Sequence, residues 1–181
     1  MNKLNSLNKV DKSTNEKILK QLELDLGFII YSDFKEVLIN YNVAKPLYSY
    51  YKKDKIIFNL DYLLGFSSKE FEDFKSVYNI YLRRMPENMI PIGIIDGADL
   101  LCMDNKTGGI YYWFHEEDDW GLEGNEKYPA QVGNSLQELL ELLILNEKPT
   151  KEELDKVEKE GKTIYTSDDF DDLFSDYKIK K

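Results

Sequence analysis

Apolar positions in the first third of the chain recur at helical spacing. Ile18, Leu19 and Leu22 fall on one face behind Ser13 and Glu16, a pair spaced as a capping box. Gly27 supplies the positive φ that ends a helix cheaply. Phe34, Val37, Leu38 and Tyr41 repeat at threes and fours after Ser32 and predict a second helix, with Asn42 as its stop. Ahead of both, residues 1–13 are polar and read as a flexible, frayed segment.

From Leu47 to Leu64 the pattern turns aromatic and β-prone. Ile56-Ile57-Phe58 predicts a strand, and Tyr62-Leu63-Leu64-Gly65 its exit. Ser67 and Glu70 repeat the capping-box spacing. They predict a helix with Phe71, Phe74, Tyr78, Tyr81 and Leu82 inward and Lys69, Lys75 and Arg83 outward. That aromatic stripe reads as core rather than as a cofactor box.

The most strand-like stretch follows Pro86. Ile90–Ile95, Asp99–Asp104 and Ile110–His115 are three apolar runs. Asp96-Gly97-Ala98 separates the first two, and Asn105-Lys106-Thr107-Gly108-Gly109 the last two. Both connections are too short for a parallel crossover, so the three runs predict an antiparallel meander. Tyr128–Val132 adds a short strand. Ser135 and Glu138 cap a helix carrying Leu136, Leu139, Leu140, Leu143 and Ile144, and Thr150 and Glu153 cap another. Near the end, Phe170, Leu173, Phe174 and Tyr177 share a helical face among Asp168, Asp169, Asp171, Asp172 and Asp176. This reads as a final helix docked on the core, with a partner-binding helix as the alternative.

Composition narrows the class. The chain has 181 residues, of which 34 are acidic and 24 basic, giving a formal net charge of −10. The length suits one domain with a terminal extension. The charge disfavours phosphate backbones, so nucleic acid is not expected as a partner. One cysteine, Cys102, cannot form an internal disulfide, and one histidine with one cysteine cannot build a four-ligand zinc site. No apolar run approaches a membrane span, and Met1-Asn2-Lys3-Leu4-Asn5 opens no signal-peptide pattern. The expected compartment is the cytoplasm, with no membrane partner.

Candidate chemistry is sparse. Glu116, Glu117, Asp118 and Asp119 form an acidic run beside Trp120, either a solvated loop or a recognition patch for a basic partner. Asp96 and Asp99 are candidates for the same patch. Tyr112 and Trp113 alternate faces, so one belongs in the core and the other can line a surface. Asp96, Asp99, Asp104 and His115 could alternatively serve a metal-dependent hydrolase. Asp96-x-x-Asp99 does not follow calcium-loop spacing, and carboxylates on turns are usually turn formers. His115 has no nucleophile motif beside it, Cys102 reads as buried and inert, and Gly108-Gly109 lacks the spacing of a phosphate loop. No catalytic residue, metal or cofactor is assigned.

In order and spacing, these elements resemble the SMI1/KNR4 (SUKH) family. The resemblance is carried by Ile90-Pro91-Ile92-Gly93, Asp96-Gly97-Ala98-Asp99 and Cys102-Met103-Asp104. It continues through Gly108–His115, the Glu116–Trp120 loop and Asn134–Leu140. Upstream, Tyr31-Ser32-Asp33-Phe34-Lys35 and Asn59–Gly65 are similar to the family's early helix and first strand. The chain departs from the family pattern at Ile30-Tyr31, at Asn42-Val43-Ala44 and at Ala98, which changes loops rather than the core. The resemblance spans residues 14–147 and leaves 148–181 as a C-terminal helical extension.

It implies an α+β domain with a central antiparallel sheet and helices packed on one side. It further implies a non-catalytic binding protein, an immunity protein that neutralises a toxin domain such as a nuclease by occluding it. Glu116, Glu117, Asp118, Asp119, Trp120, Asp96 and Asp99 are then the expected partner-binding residues. A regulatory scaffold of the fungal type, without a toxin, is the alternative. The expected oligomeric state is a monomer or weak homodimer.

Overall fold

The structure is a computed structural model, and it describes residues 3–53, 56–113 and 130–145. Among the described residues, eight strands and four helices form an α+β fold. The main sheet is antiparallel with the order β1-β2-β4-β5-β6-β7-β8, and β3 pairs with β4 outside that path.

The expected meander forms its centre. β5 (Met89–Ile95), β6 (Asp99–Asp104) and β7 (Ile110–Trp113) pair in sequence order. Every residue of β5 is buried, as is every residue of β6 but Asp104. Antiparallel strands with one wet face alternate apolar and polar side chains. Leu100-Leu101-Cys102-Met103 does not alternate because both faces of β6 are covered. β8 (Ala130–Gly133) joins β7 and ends one residue beyond the expected stretch.

At the other edge, the chain start is ordered where fraying was expected. β1 (Leu4–Ser6) pairs with β2 (Ala44–Pro46), placing Leu4 opposite Pro46. The side chain of Leu4 is buried, and this contact with a distant segment orders residues whose own sequence carries little pattern. β3 (Tyr50–Lys53) and β4 (Ile56–Leu63) form a hairpin. β4 runs on through Tyr62 and Leu63, which the sequence assigned to its exit, because Leu60, Tyr62 and Leu63 pair with β5.

α1 (Lys12–Leu26) starts from Asp11 rather than Ser13. The Asp11 carboxylate accepts from the Thr14 backbone at 3.2 Å and from its hydroxyl at 2.9 Å. Gly27, at φ +75°, ends the helix as expected. Leu19 and Leu22 are buried, while Ile18 turns outward. α2 (Ser32–Asn40) buries Phe34, Val37 and Leu38. Asn15 on α1 is buried and donates to the Leu38 and Ile39 carbonyls near the end of α2, which lack later helical donors.

The third helix departs most from expectation. α3 (Phe74–Tyr81) starts at Asp73, not Ser67. The Asp73 carboxylate accepts from the Ser76 backbone and hydroxyl, both at 2.9 Å, and from the Ser67 backbone. Ser67 caps only a local turn, accepting from the Lys69 backbone. The shift leaves Phe71 and Leu82 exposed, while Phe74 and Val77 enter the core.

α4 (Leu136–Leu142) begins at Ser135 as expected, and its hydroxyl accepts from the Glu138 backbone at 3.1 Å. Glu138 reaches back one residue further than a capping box requires. It takes the Asn134 backbone and side-chain donors at 2.8 Å each, and these hold its carboxyl below the usual range. Leu136, Leu139, Leu140 and Leu143 are buried, but Ile144 is exposed. Replacing Ser135 by Ala should cost about 1 kcal/mol in urea denaturation, the usual loss of an N-cap acceptor, whereas Ser135→Asp should retain most of it. The predicted extension over 148–181 lies outside the described residues.

Candidate functional site

The turn between β5 and β6 is held by β4. Asp96 and Gly97 have φ of +46° and +84°, and the Ala98 N–H closes the turn on the Ile95 carbonyl at 3.1 Å. Two consecutive positive φ values are the signature of a type I′ hairpin turn, which matches strand twist and favours Asp-Gly. Asn59 and Asp61, two residues apart on β4, both reach this turn. The Asp96 Oδ1 accepts from the Asn59 backbone at 3.0 Å and from its Nδ2 at 3.2 Å. The Asp96 N–H donates to the Asn59 carbonyl at 3.0 Å. The Gly97 N–H donates to Asp61 Oδ2 at 2.7 Å.

Asp99 enters β6 directly below. It is 9% exposed, and its Oδ2 accepts from the Tyr112 hydroxyl at 2.8 Å. Tyr112 stacks on Phe58, which stacks on Tyr51. Trp113 is the core member of the alternating pair, fully buried, and Tyr112 is half-buried. Tyr81 meets Trp113 edge-on at 5.4 Å. The Arg84 guanidinium lies 5.8 Å from the Tyr81 ring centre and 5.5 Å from that of Trp113. Burial pushes the Tyr81 hydroxyl pKa up; the Arg84 charge opposes this and the Asp99 charge adds to it.

The carboxylates singled out from sequence therefore separate by role. Asp96 is exposed at the turn, and Asp99 is buried under it. Asp104 closes the far end of β6, roughly 17 Å from Asp99 at the strand rise. There it accepts from the Lys106 and Thr107 backbones and serves the loop before β7. Among the described residues no three His, Cys, Asp or Glu side chains are grouped to hold a metal ion. Cys102 is fully buried, and burial pushes its thiol pKa far up, away from the reactive thiolate. His115, Glu116, Glu117, Asp118, Asp119 and Trp120 lie outside the described residues.

Sequence reasoning missed Asn59 and Asp61. Their signal was available: two polar positions at strand spacing within the apolar run Ile56–Leu64, upstream of an Asp-Gly turn that needs partners. It also missed two shallow apolar grooves along α1. One, of about 580 Å³, runs between Ile18 and Leu22 and the segment Phe66–Ser68, with the Asp25–Lys75 ion pair on its lining. The other, of about 560 Å³, is lined by Lys20, Leu24, Phe28 and Ile29 among others.

Comparison with known proteins adds context to this geometry. The model of the family described as SMI1 / KNR4 (SUKH-1) matches residues 13–142. The match takes in the β5–β6 turn, Asn59, Asp61 and all four helices but the first residue of α1. The chain is 28% identical over 151 residues to the SPbeta prophage-derived uncharacterized protein YokK of Bacillus subtilis (strain 168). That similarity covers 73% of this chain and 75% of the relative. No solved structure matches the chain.

Proposed function

The chain belongs to the SMI1/KNR4 family (SUKH-1), and from that premise we propose that it is an immunity protein acting by binding alone. Family membership supports an immunity-type role in general, and the family is generally non-catalytic. The match over residues 13–142 is the observation that carries this reading. Among the described residues no helix is long and apolar enough to cross a membrane.

The finer proposal is that the partner is a toxin domain, such as a nuclease, occluded through an acidic surface. A nuclease presents a basic cleft to phosphates, and carboxylates can occupy it. Glu116, Glu117, Asp118 and Asp119 with Trp120 would make the principal contacts, together with Asp96 at the exposed turn. Asp99, being buried, would act through its charge from beneath the surface. Trp113 pairs with Leu100, beside Asp99, and the acidic run follows Trp113 a few residues along the chain. Charge complementarity of this kind raises association rate and selectivity more than intrinsic affinity, and it weakens with salt.

The experiment is co-expression with toxins encoded beside this gene, scored by co-purification and by cell survival. A cognate toxin should co-purify and lose its lethality. Failure to protect against every neighbouring toxin would overturn the reading. Within a complex so obtained, the double reversal Glu117→Lys with Asp118→Lys should slow association and raise Kd. The melting temperature should stay nearly constant, since surface changes away from special features alter stability by no more than about 0.5 kcal/mol. An unchanged Kd would move the interface elsewhere on the molecule.

A further inference from the structure

We propose that Asp96-Gly97 is a latent isoaspartate site, held closed by Asn59 and Asp61. It is the single Asp-Gly pair in the chain, and no Asn-Gly occurs. Glycine after aspartate is the arrangement in which a backbone nitrogen meets least hindrance when it attacks the preceding side chain. In that reaction Gly97 N bonds to Asp96 Cγ. The protonated side-chain carboxyl loses its hydroxyl, which leaves with the amide proton as water, and a five-membered succinimide remains. Water then opens the ring at either carbonyl. Opening at the backbone carbonyl leaves the chain running through the β-carbon of residue 96, with no net change in mass.

The turn is accessible to this chemistry. Asp96, Gly97 and Ala98 are exposed, and no heavy atom from outside these three residues lies within 4 Å of where a Gly97 Cβ would sit. Cyclisation needs nitrogen and carbonyl carbon in an aligned near-attack geometry. Here both reacting groups are tied to β4 instead. Gly97 N–H points to Asp61 Oδ2 at 2.7 Å. The Asp96 carboxylate is held by two donors of Asn59, and the Asp96 N–H by the Asn59 carbonyl. Swinging Cγ toward Gly97 N breaks both side-chain bonds of Asp96, and turning the nitrogen to meet it breaks the bond to Asp61. Asn59 and Asp61 are positioning residues that keep the reacting atoms apart.

The consequence reaches the protein's surface. Isomerisation would add a methylene to the backbone inside a type I′ turn and move an exposed carboxylate. The inference does not depend on the binding reading, because its readout is the covalent bond itself.

The test is an ageing experiment at neutral pH, below the melting temperature. Isoaspartate is quantified by enzymatic carboxyl methylation and located by peptide fragmentation. The folded wild type should accumulate isoaspartate at residue 96 several-fold more slowly than the same chain held unfolded in urea. Asp61→Ala, confirmed folded by circular dichroism, should accumulate it several-fold faster than folded wild type. Asp61→Asn should stay near wild type, because its carboxamide oxygen can still accept from Gly97. Equal rates in folded and unfolded wild type would overturn the proposal. So would an Asp61→Ala rate equal to wild type, or a slower one, which would make Asp61 a base that promotes the attack. Should Asp61→Ala fail to fold, Asn59→Ala takes its place with the same expected acceleration, and the folded-against-unfolded comparison stands without either.

Discussion

Trp113→Ala should remove about 3–5 kcal/mol of folding stability, the range for deleting a large buried aromatic side chain. Trp113 is fully buried at the end of β7, opposite Leu100. Its ring lies nearly perpendicular to that of Tyr81 and near the Arg84 guanidinium. Truncation therefore opens a cavity and strips two neighbours of a partner. The cavity cannot close easily, because Leu100 and Tyr81 belong to elements fixed on other sides, β6 by β5 and α3 by its Asp73 cap. Against a typical total of about 5–15 kcal/mol, the variant should be marginal. Urea denaturation followed by circular dichroism checks this, and Trp113→Phe should recover a large part of the loss by keeping a ring in the site. A cost below about 1 kcal/mol would mean that the end of the sheet collapses around the gap.

Much of this core was legible in the chain because local pattern and tertiary role agreed. The meander needed only short connections between apolar runs, and the Asp-Gly pair at its first turn has the conformation such pairs favour. The same held for α4, where Ser135 both looks like a cap and is one. Ser67 and Asp73 show where local pattern fails. Both are residue types that cap helices well, and the spacing of Ser67 and Glu70 pointed to Ser67 alone. Tertiary bonds decide otherwise: Gly65 N–H donates to the Glu72 carbonyl, and Phe74 N–H to the Gly65 carbonyl. These fold the intervening chain into a turn and leave Asp73 at the helix start.

β1 and β2 were unreadable for another reason, whereas β3 lies within the stretch Leu47–Leu64 that reads as β-prone. Strands of three residues hold too few positions to show alternation, and partners far along the chain create them, Leu4–Ser6 lying against Ala44–Pro46. The site divides in the same way. Asp96 was visible as part of a turn motif. The burial of Asp99 and the roles of Asn59 and Asp61 depend on β4 lying beside β5, which no local spacing encodes.

That dependence on juxtaposition is sharpest at Gly65, and Gly65→Ala should cost roughly 3 kcal/mol, the upper part of the overpacking range. An added Cβ would sit 2.4 Å from the Val43 nitrogen and 2.5 Å from the Asn42 carbonyl carbon. Both are backbone atoms, so no rotamer change relieves the contact. The segment it strikes is itself pinned. Asn42 has a φ of +60°, its Oδ1 accepts from the Phe66 backbone, and its Nδ2 donates to the Phe66 carbonyl at 3.0 Å. Val43 and Ala44 are fully buried beside it, and Ala44 pairs with Leu63. Moving either strand away from the new methyl would part the Asn42–Phe66 bonds and disturb the β2–β4 pairing.

Gly97→Ala is the matched control. Its φ of +84° is disfavoured for an L residue, yet no heavy atom beyond its chain neighbours lies within 4 Å of the new methyl. It should cost only the conformational penalty, roughly 1–2 kcal/mol. Denaturation midpoints for the two variants separate the causes. If Gly65→Ala proves as mild as Gly97→Ala or milder, the backbones of residues 42–43 and 65 are not in the close contact described. If it is clearly the more damaging, close approach of two main chains is what demands glycine there, in a position where φ does not.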